Sequence, residues 1–400
     1  MLKMKKALIH DWYTQYSGAE RCIESFTNIW DDFDHFTLID SLTDEQREKV
    51  LKGKKTNTSF IEKLPFGKKK YRSYLPLFPL AIEQFDLNEY DLIISSSSAI
   101  SKGALTRPDQ LHISYVYSPI RYAWDLYFQY LKESGLNKGI KGFIAKYFLH
   151  KLRIWDVSTA NRPDHYIAIS HYIAARIKKI YNKESIVIYP PVDTKSFTIS
   201  DKKEDYYVTC SRMVPYKKIN LIVEAFSKTN KKLIVIGDGP DFKKIKKLAT
   251  SNIDLMGHIE KTAMIEILRK ARAFVFAAEE DFGIAPIEAQ ACGVPVIAFA
   301  KGGVLETIKG CFITDNLVEE NTGVFFKEQT IGSLLGAIEF FERHEQVFDK
   351  YIIRKQAEVF SKERFEKEFK KTIEQLYNCW KNKMNDDSLI EENHEKSIYE

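Results

Sequence analysis

The chain has 400 residues, 44% of them hydrophobic and 29% charged, and a formal charge of +5. Its length exceeds a single hydrophobic core and argues for two domains, while no apolar run is long enough to span a membrane. Five scattered cysteines without a CxxC pair argue against a disulfide framework or a zinc site, and the small net charge lends nucleic-acid binding no support.

The basic N-terminus, Met1 to Lys6, precedes an apolar stretch that meets His10 and Asp11 at once. It reads as the first strand of a cytoplasmic protein rather than a signal peptide. Residues 7–10 form that strand, and Ser17-Gly18-Ala19-Glu20 is a turn entering a helix that runs to about residue 29. Further strands are expected at 36–39, 92–94, 112–116 and 166–169. Short apolar runs separated by helical patterns indicate a parallel sheet with helices on both faces. Two prolines at 190 and 191 then break the pattern, and a charged stretch at 201–205 follows.

The second half repeats this logic. Strands at 207–210, 233–236, 273–276 and 294–297 alternate with helices, the first of these near 219–227. The predicted domains are 1–192 and 193–364, with a helix at 365–381 crossing back to the first domain and a polar, disordered tail at 382–400. In open α/β sheets, ligands sit at the carboxyl ends of strands.

Candidate chemistry gathers at two such ends. Glu280 and Glu288 flank Phe282-Gly283-Ile284 and Pro286, just after the strand at 273–276. A turn at Gly283 opening a helix near Pro286 would present backbone amides to an anion, and the carboxylates would accept hydrogen bonds from sugar or ribose hydroxyls. The alternative is a helix start whose acidic residues only complement its dipole. Arg212 and Lys217 follow the strand at 207–210. A bidentate guanidinium and a point-charge ammonium suit a diphosphate; solvated lysines at a helix start are the plainer alternative.

Residues 138–153 place Ile140, Phe143, Ile144, Tyr147 and Phe148 at helical spacing among lysines. Such a helix lies on an anionic membrane or packs in a domain with a solvated basic face. Lys68 to Arg72 form a second basic cluster.

The segments "SRMVPYKKINLIVEAF", "VIGDGP" and "EEDFGIAPIEAQACGVPVIAFAKGGVLETI", in this order, resemble the donor-binding half of glycosyltransferase family 4. "YSGAER" resembles the family's glycine-containing loop after the first strand. "YDLIISSSSAISKGA", "YSPIRYAWD" and "ANRPDHYIAIS" resemble the bacterial mannosyltransferase-like enzymes of surface-polysaccharide assembly.

The resemblance implies a GT-B fold, an α/β architecture of two facing Rossmann-like domains with a deep interdomain cleft. It implies retaining transfer of a hexose, mannose being favoured, from a nucleotide sugar, GDP-mannose being favoured, to a lipid-linked or oligosaccharide acceptor. Glu288 would hold the ribose, Glu280 the transferred sugar, and the amides of Phe282, Gly283 and Ile284 the sugar and phosphate. Arg212 and Lys217 would stabilise the leaving diphosphate without a metal or other cofactor, and Gly18 would let the first loop approach it closely.

Where the family often carries histidine, this chain has Tyr117, whose phenol donates a hydrogen bond but does not titrate near neutrality. The alternative is a phenol packed under the strand end. Arg121, Trp124 and Asp125 would face the cleft from the acceptor side; an aromatic core cluster with an Arg–Asp ion pair is their alternative. Peripheral contact with the inner face of the cytoplasmic membrane through 138–153 and 68–72 completes these expectations. The rival activities are a nucleotide-sugar 2-epimerase of the same architecture and a non-catalytic nucleotide-binding scaffold in polysaccharide assembly.

Overall fold

The computed structural model describes residues 4–315 and 318–398, with side chains described to residue 385. The chain divides into two units, Met1–Tyr189 with Phe365–Glu400, and Pro190–Arg364. The division falls ahead of the expected 192/193 boundary because Val192 bridges Ser361 and its amide donates to the Phe360 carbonyl at 2.9 Å. Both prolines of the Pro190-Pro191 pair therefore belong to the second unit.

The first unit carries strands β1 (Lys6–His10), β2 (Phe33–Thr37), β3 (Thr56–Thr58), β4 (Leu92–Ser97), β5 (Leu111–Val116), β6 (His165–Ala168) and β7 (Ile186–Val187). They pair in parallel in the order β3-β2-β1-β4-β5-β6-β7. β1, β4 and β5 are buried along their whole length, as strands covered on both faces must be. That double cover accounts for the apolar runs at residues 7–9 of β1 and 92–94 of β4. Spatial order reverses between β1 and β4, which puts a crevice at the carboxyl ends of those two strands.

A long C-terminal helix, Lys362–Ile398, joins this unit through Phe369, which stacks on Phe26 at 4.4 Å and meets Tyr115 edge-on at 5.8 Å. Residues 382–385 continue the helix rather than leaving it as a tail. The rest of the tail expected at 382–400 lies outside the residues whose side chains are described.

The second unit carries β8 (Tyr207–Cys210), β9 (Leu233–Ile236), β10 (Ile253–Gly257), β11 (Ala273–Phe276), β12 (Val296–Phe299), β13 (Gly310–Phe312) and β14 (Gly323–Phe326). Their order is β10-β9-β8-β11-β12-β14-β13, with parallel pairing. The same reversal occurs here between β8 and β11. One face packs Val235, Val275 and Ile297 against Leu334, Ile338 and Phe341 of the helix Ile331–Arg343.

Two strands are displaced from their expected positions. The 294–297 strand begins instead at Val296, which pairs with Phe274. Pro295 has no amide to join the ladder, and only its carbonyl accepts, from the Phe274 amide at 2.9 Å. The 36–39 strand is β2, and Leu38 and Ile39 lie past its end. They bond to the loop after β1, through Leu38 N to Asp11 O at 3.2 Å and Tyr13 N to Ile39 O at 3.0 Å.

Candidate active site

In the second unit, the loops after β8 and β9 are knitted together by their backbones. The Ser211 amide donates to Ile236 at 3.0 Å, Met213 to Asp238 at 2.9 Å, and Asp241 to Met213 at 3.1 Å. The "GDGP" segment lies so close that a Cβ on Gly237 would meet the Ser211 carbonyl at 2.0 Å. This contact fixes the path of the "SRMVPYK" loop. Arg212 is exposed on it, and Lys217 ends the single 3₁₀ turn Pro215–Lys217.

Lys217 reaches the loop after β11 and forms an ion pair with Glu280, each side chain 16% exposed. The Glu280 backbone is held from the other side by the loop after β12. It bridges Gly302, and its carbonyl accepts from the Gly303 amide at 2.8 Å. Gly302 has φ +87°, and a Cβ there would lie 2.3 Å from the Glu280 carbonyl oxygen. No other residue type fits that combination of handedness and proximity.

The helix Ile284–Ala291 follows at once, with Gly283 at its N-cap at φ +91°. Pro286 stands in the first turn, where a missing amide costs nothing. The Phe282 ring is buried edge-on against Phe360 at 5.6 Å, which turns the Gly283 backbone toward the helix start. Glu288 is 6% exposed on that helix. Its charge is felt by the Cys210 thiol at the end of β8, which burial first and Glu288 second push up to about 12 against the opposing pull of Lys217. Glu288, Lys217 and Glu280 thus converge on the β8/β11 reversal. Among the described residues, no group of three or more His, Cys, Asp or Glu could hold a metal ion.

The remaining candidates lie in the first unit. Gly18 is the first residue of the helix Gly18–Ile29, which follows β1. The Tyr117 hydroxyl meets Ser96 Oγ at 2.8 Å and donates to the Ala19 carbonyl at 3.2 Å, so it ties β5 and β4 to the start of that helix. Burial raises its pKa well above the ordinary phenol value. Trp124 donates its indole N–H to Asp156 Oδ2 at 2.7 Å. Asp125 pairs with Arg176 and, at 3.8 Å, with Arg121. The phenol under the strand end and the Arg–Asp pair are therefore both present.

Sequence reasoning missed three features. Asp11, fully buried after β1, accepts from the Ser98, Ile100 and Ser101 amides at 2.6–2.9 Å and from the Ser98 hydroxyl, and so shapes the serine loop after β4. Glu20 faces His10 at 3.7 Å and accepts from the Ser17 amide and hydroxyl. The Gly302-Gly303 clamp is the third. Their signals were the polar His10-Asp11 pair closing an apolar strand and a glycine pair directly after β12.

Two family models tile the chain: "Glycosyltransferase Family 4" matches residues 16–196 and "Glycosyl transferases group 1" matches 193–363. A GDP-mannose-dependent monoacylated alpha-(1-6)-phosphatidylinositol monomannoside mannosyltransferase of Corynebacterium glutamicum is 31% identical over 172 residues, covering 35% of this chain and 45% of that one. The O-antigen chain mannosyltransferase RfbU of Salmonella typhimurium is 27% identical over 168 residues, 39% of this chain and 46% of that one. The chain spans about half the length of the curated relatives it matches.

Among solved structures, Anabaena HepE in complex with UDP and glucose superposes with a TM-score of 0.65 at 16% identity, covering 93% of this chain and 100% of that one. That likeness, with the two seven-stranded parallel sheets, establishes the GT-B fold. The chain belongs to the group 1 glycosyltransferases of family 4.

Proposed function

We propose that the protein is a retaining hexosyltransferase that moves mannose from GDP-mannose to a lipid-linked or oligosaccharide acceptor during bacterial surface-polysaccharide assembly. The observation that carries this reading is the convergence of Lys217, Glu280 and Glu288 on the β8/β11 reversal, where doubly wound sheets take their ligands. Lys217 and Arg212 bind the diphosphate, the first turn of Ile284–Ala291 offers amides to phosphate and sugar, and Glu288 takes the ribose. Glu280 takes the transferred hexose. The mannose assignment draws on the names of the Corynebacterium and Salmonella relatives.

In this reading the acceptor oxygen bonds to the anomeric carbon on the face that the diphosphate leaves. The acceptor proton passes to a phosphate oxygen of the leaving group. Two cationic side chains stabilise the developing diphosphate charge, and no metal is required.

The test is a thermal-shift panel of nucleoside diphosphates and nucleotide sugars, followed by transfer assays with and without chelator. A ligand at about 100 times its Kd stabilises by about 2.7 kcal/mol, which a melting curve resolves. Selective stabilisation by GDP and GDP-mannose, with chelator-resistant transfer, is expected. Conversion of the donor without any acceptor would favour the epimerase reading, and no nucleotide response at all would overturn both.

A further inference from the structure

The helix Gly139–Ser158 is apolar on two opposite sides. Its inward side buries Gly142, Leu149, Leu152 and Asp156 against the first unit. At 3.6 residues per turn, Ile140, Phe143, Ile144, Tyr147 and Ile154 form a single stripe about half a turn away. That stripe is open to solvent: Ile140 is 81% exposed, Phe143 73%, Ile154 51%, Tyr147 50% and Ile144 48%. A helix packed in a soluble domain turns its polar face outward, whereas this one turns a second apolar face outward.

Charge indicates what the stripe meets. Lys141 and Lys146 flank it on either side, and Lys151 stands within it; all three are exposed. The only acidic residue of the helix, Asp156, is fully buried and ion-paired to Lys102 at 3.0 Å. Two copies packed stripe to stripe would set lysine against lysine with no carboxylate of this helix between them. A surface with apolar depth beneath negative headgroups satisfies both the rings and the ammonium groups. At 20 residues, the helix is not apolar enough to cross a bilayer, as holds for every helix among the described residues.

We infer that the outer stripe of Gly139–Ser158 docks the protein flat on an anionic lipid bilayer, with Ile140, Phe143, Ile144 and Tyr147 inserted and the lysines at headgroup level. This deepens the reading of a lipid-linked acceptor, on which it rests, by naming the surface where that acceptor is met.

The test is cosedimentation of the full chain with phosphatidylcholine vesicles, pure or containing about 30% phosphatidylglycerol, at low and high salt. Binding to the anionic vesicles alone is expected, weakening as salt is raised. The F143S/Y147S variant should weaken it at least about tenfold through lost apolar insertion. The K141E/K146E variant should do the same through lost headgroup attraction. Both variants should keep the wild-type thermal shift with nucleoside diphosphate, which shows that they are folded.

Failure of the wild type to sediment with anionic vesicles, while nucleotide binding is intact, overturns the docking surface alone. So does a concentration-dependent dimer that F143S/Y147S dissociates. Vesicle binding without any nucleotide response would instead sink the transferase reading and leave the surface standing.

Discussion

The Lys217 ammonium is ion-paired with the Glu280 carboxylate across the two loops that close the β8/β11 reversal. These are the side chains assigned to opposite ends of one donor, the diphosphate and the hexose. The pair neutralises both charges, so a donor bound as proposed would draw Lys217 toward phosphate and release Glu280 for the sugar. Charge-assisted hydrogen bonds are worth about 1.5–3 kcal/mol. Lys217→Ala is therefore expected to weaken nucleoside diphosphate binding roughly tenfold to a hundredfold in a calorimetric titration. Glu280→Gln should leave that affinity unchanged or improved while transfer collapses. Equal loss of diphosphate affinity in both variants would show that the roles are not divided this way.

Glu288 is buried on the helix Ile284–Ala291, apart in sequence from the loops that carry that pair, so its contribution separates from theirs. Glu288→Gln keeps the volume and removes the charge that the Cys210 thiol senses. Nucleoside affinity should fall in this variant, because a carboxylate accepts two ribose hydroxyls more strongly than an amide. The loss should appear equally with nucleoside monophosphate and diphosphate if Arg212 and Lys217 hold the phosphates as proposed. A loss confined to the diphosphate would reassign Glu288.

The Glu280 loop owes its position to a glycine. With Gly302 at φ +87° and a Cβ 2.3 Å from the Glu280 carbonyl, Gly302→Ala must both strain its own backbone and push the loop away. The left-handed conformation alone costs about 1–2 kcal/mol for an L-residue. A lower melting temperature is expected together with transfer reduced more than nucleotide affinity, because Glu280 moves while Glu288, on its own helix, does not. Wild-type turnover in Gly302→Ala would remove the clamp from the account.

The central strands were legible because burial on both faces leaves apolar runs in them, residues 7–9 in β1, 92–94 in β4 and all of β9. The edges were not. β3 is Thr56-Asn57-Thr58 and β7 only Ile186-Val187, too polar or too short to carry a period. The positions of Arg212, Lys217 and Glu280 in loops after β8 and β11 were legible because these charged residues follow apolar strands directly. The helix Gly139–Ser158 stayed open between two readings for a physical reason: apolar residues at helical spacing mark a face, and spacing alone does not say whether that face turns inward. Trp124 was unreadable for another, since its indole partner, Asp156, lies far along the chain.

That indole bond belongs to a buried network, and its disruption separates a structural role from an acceptor-binding one. Asp156 accepts from Trp124 at 2.7 Å and from the Tyr181 hydroxyl at 3.0 Å, and pairs with Lys102 at 3.0 Å, with both charged side chains almost wholly buried. Removing one partner of a buried pair costs about 3–5 kcal/mol, so Lys102→Met should lower stability severely in urea unfolding. Trp124→Phe keeps an aromatic side chain but removes the N–H together with the five-membered ring, at about 1–3 kcal/mol for the lost hydrogen bond. Its acceptor KM should stay at the wild-type value if the side chain serves the network. A raised KM at unchanged stability would instead place Trp124 on the acceptor.

Acid should expose the Glu20–His10 contact. Burial alone would raise the Glu20 carboxyl, but the His10 hydrogen bond and charge, with the Ser17 hydroxyl, outweigh it and hold the group below its ordinary 4.5. Between the folded value and 4.5 the unfolded chain binds a proton that the native state does not, so stability rises with pH through that window. The contribution is fully present above the unfolded value and is lost as pH falls through the folded one. Glu20→Gln cannot make this contribution at any pH. The stability gap between wild type and variant, followed by hydrogen exchange of the Gly18–Ile29 helix, should be constant from about pH 7 to pH 5 and shrink below about pH 4. A gap that stays constant into acid would mean that the Glu20 carboxylate is not what secures the start of that helix.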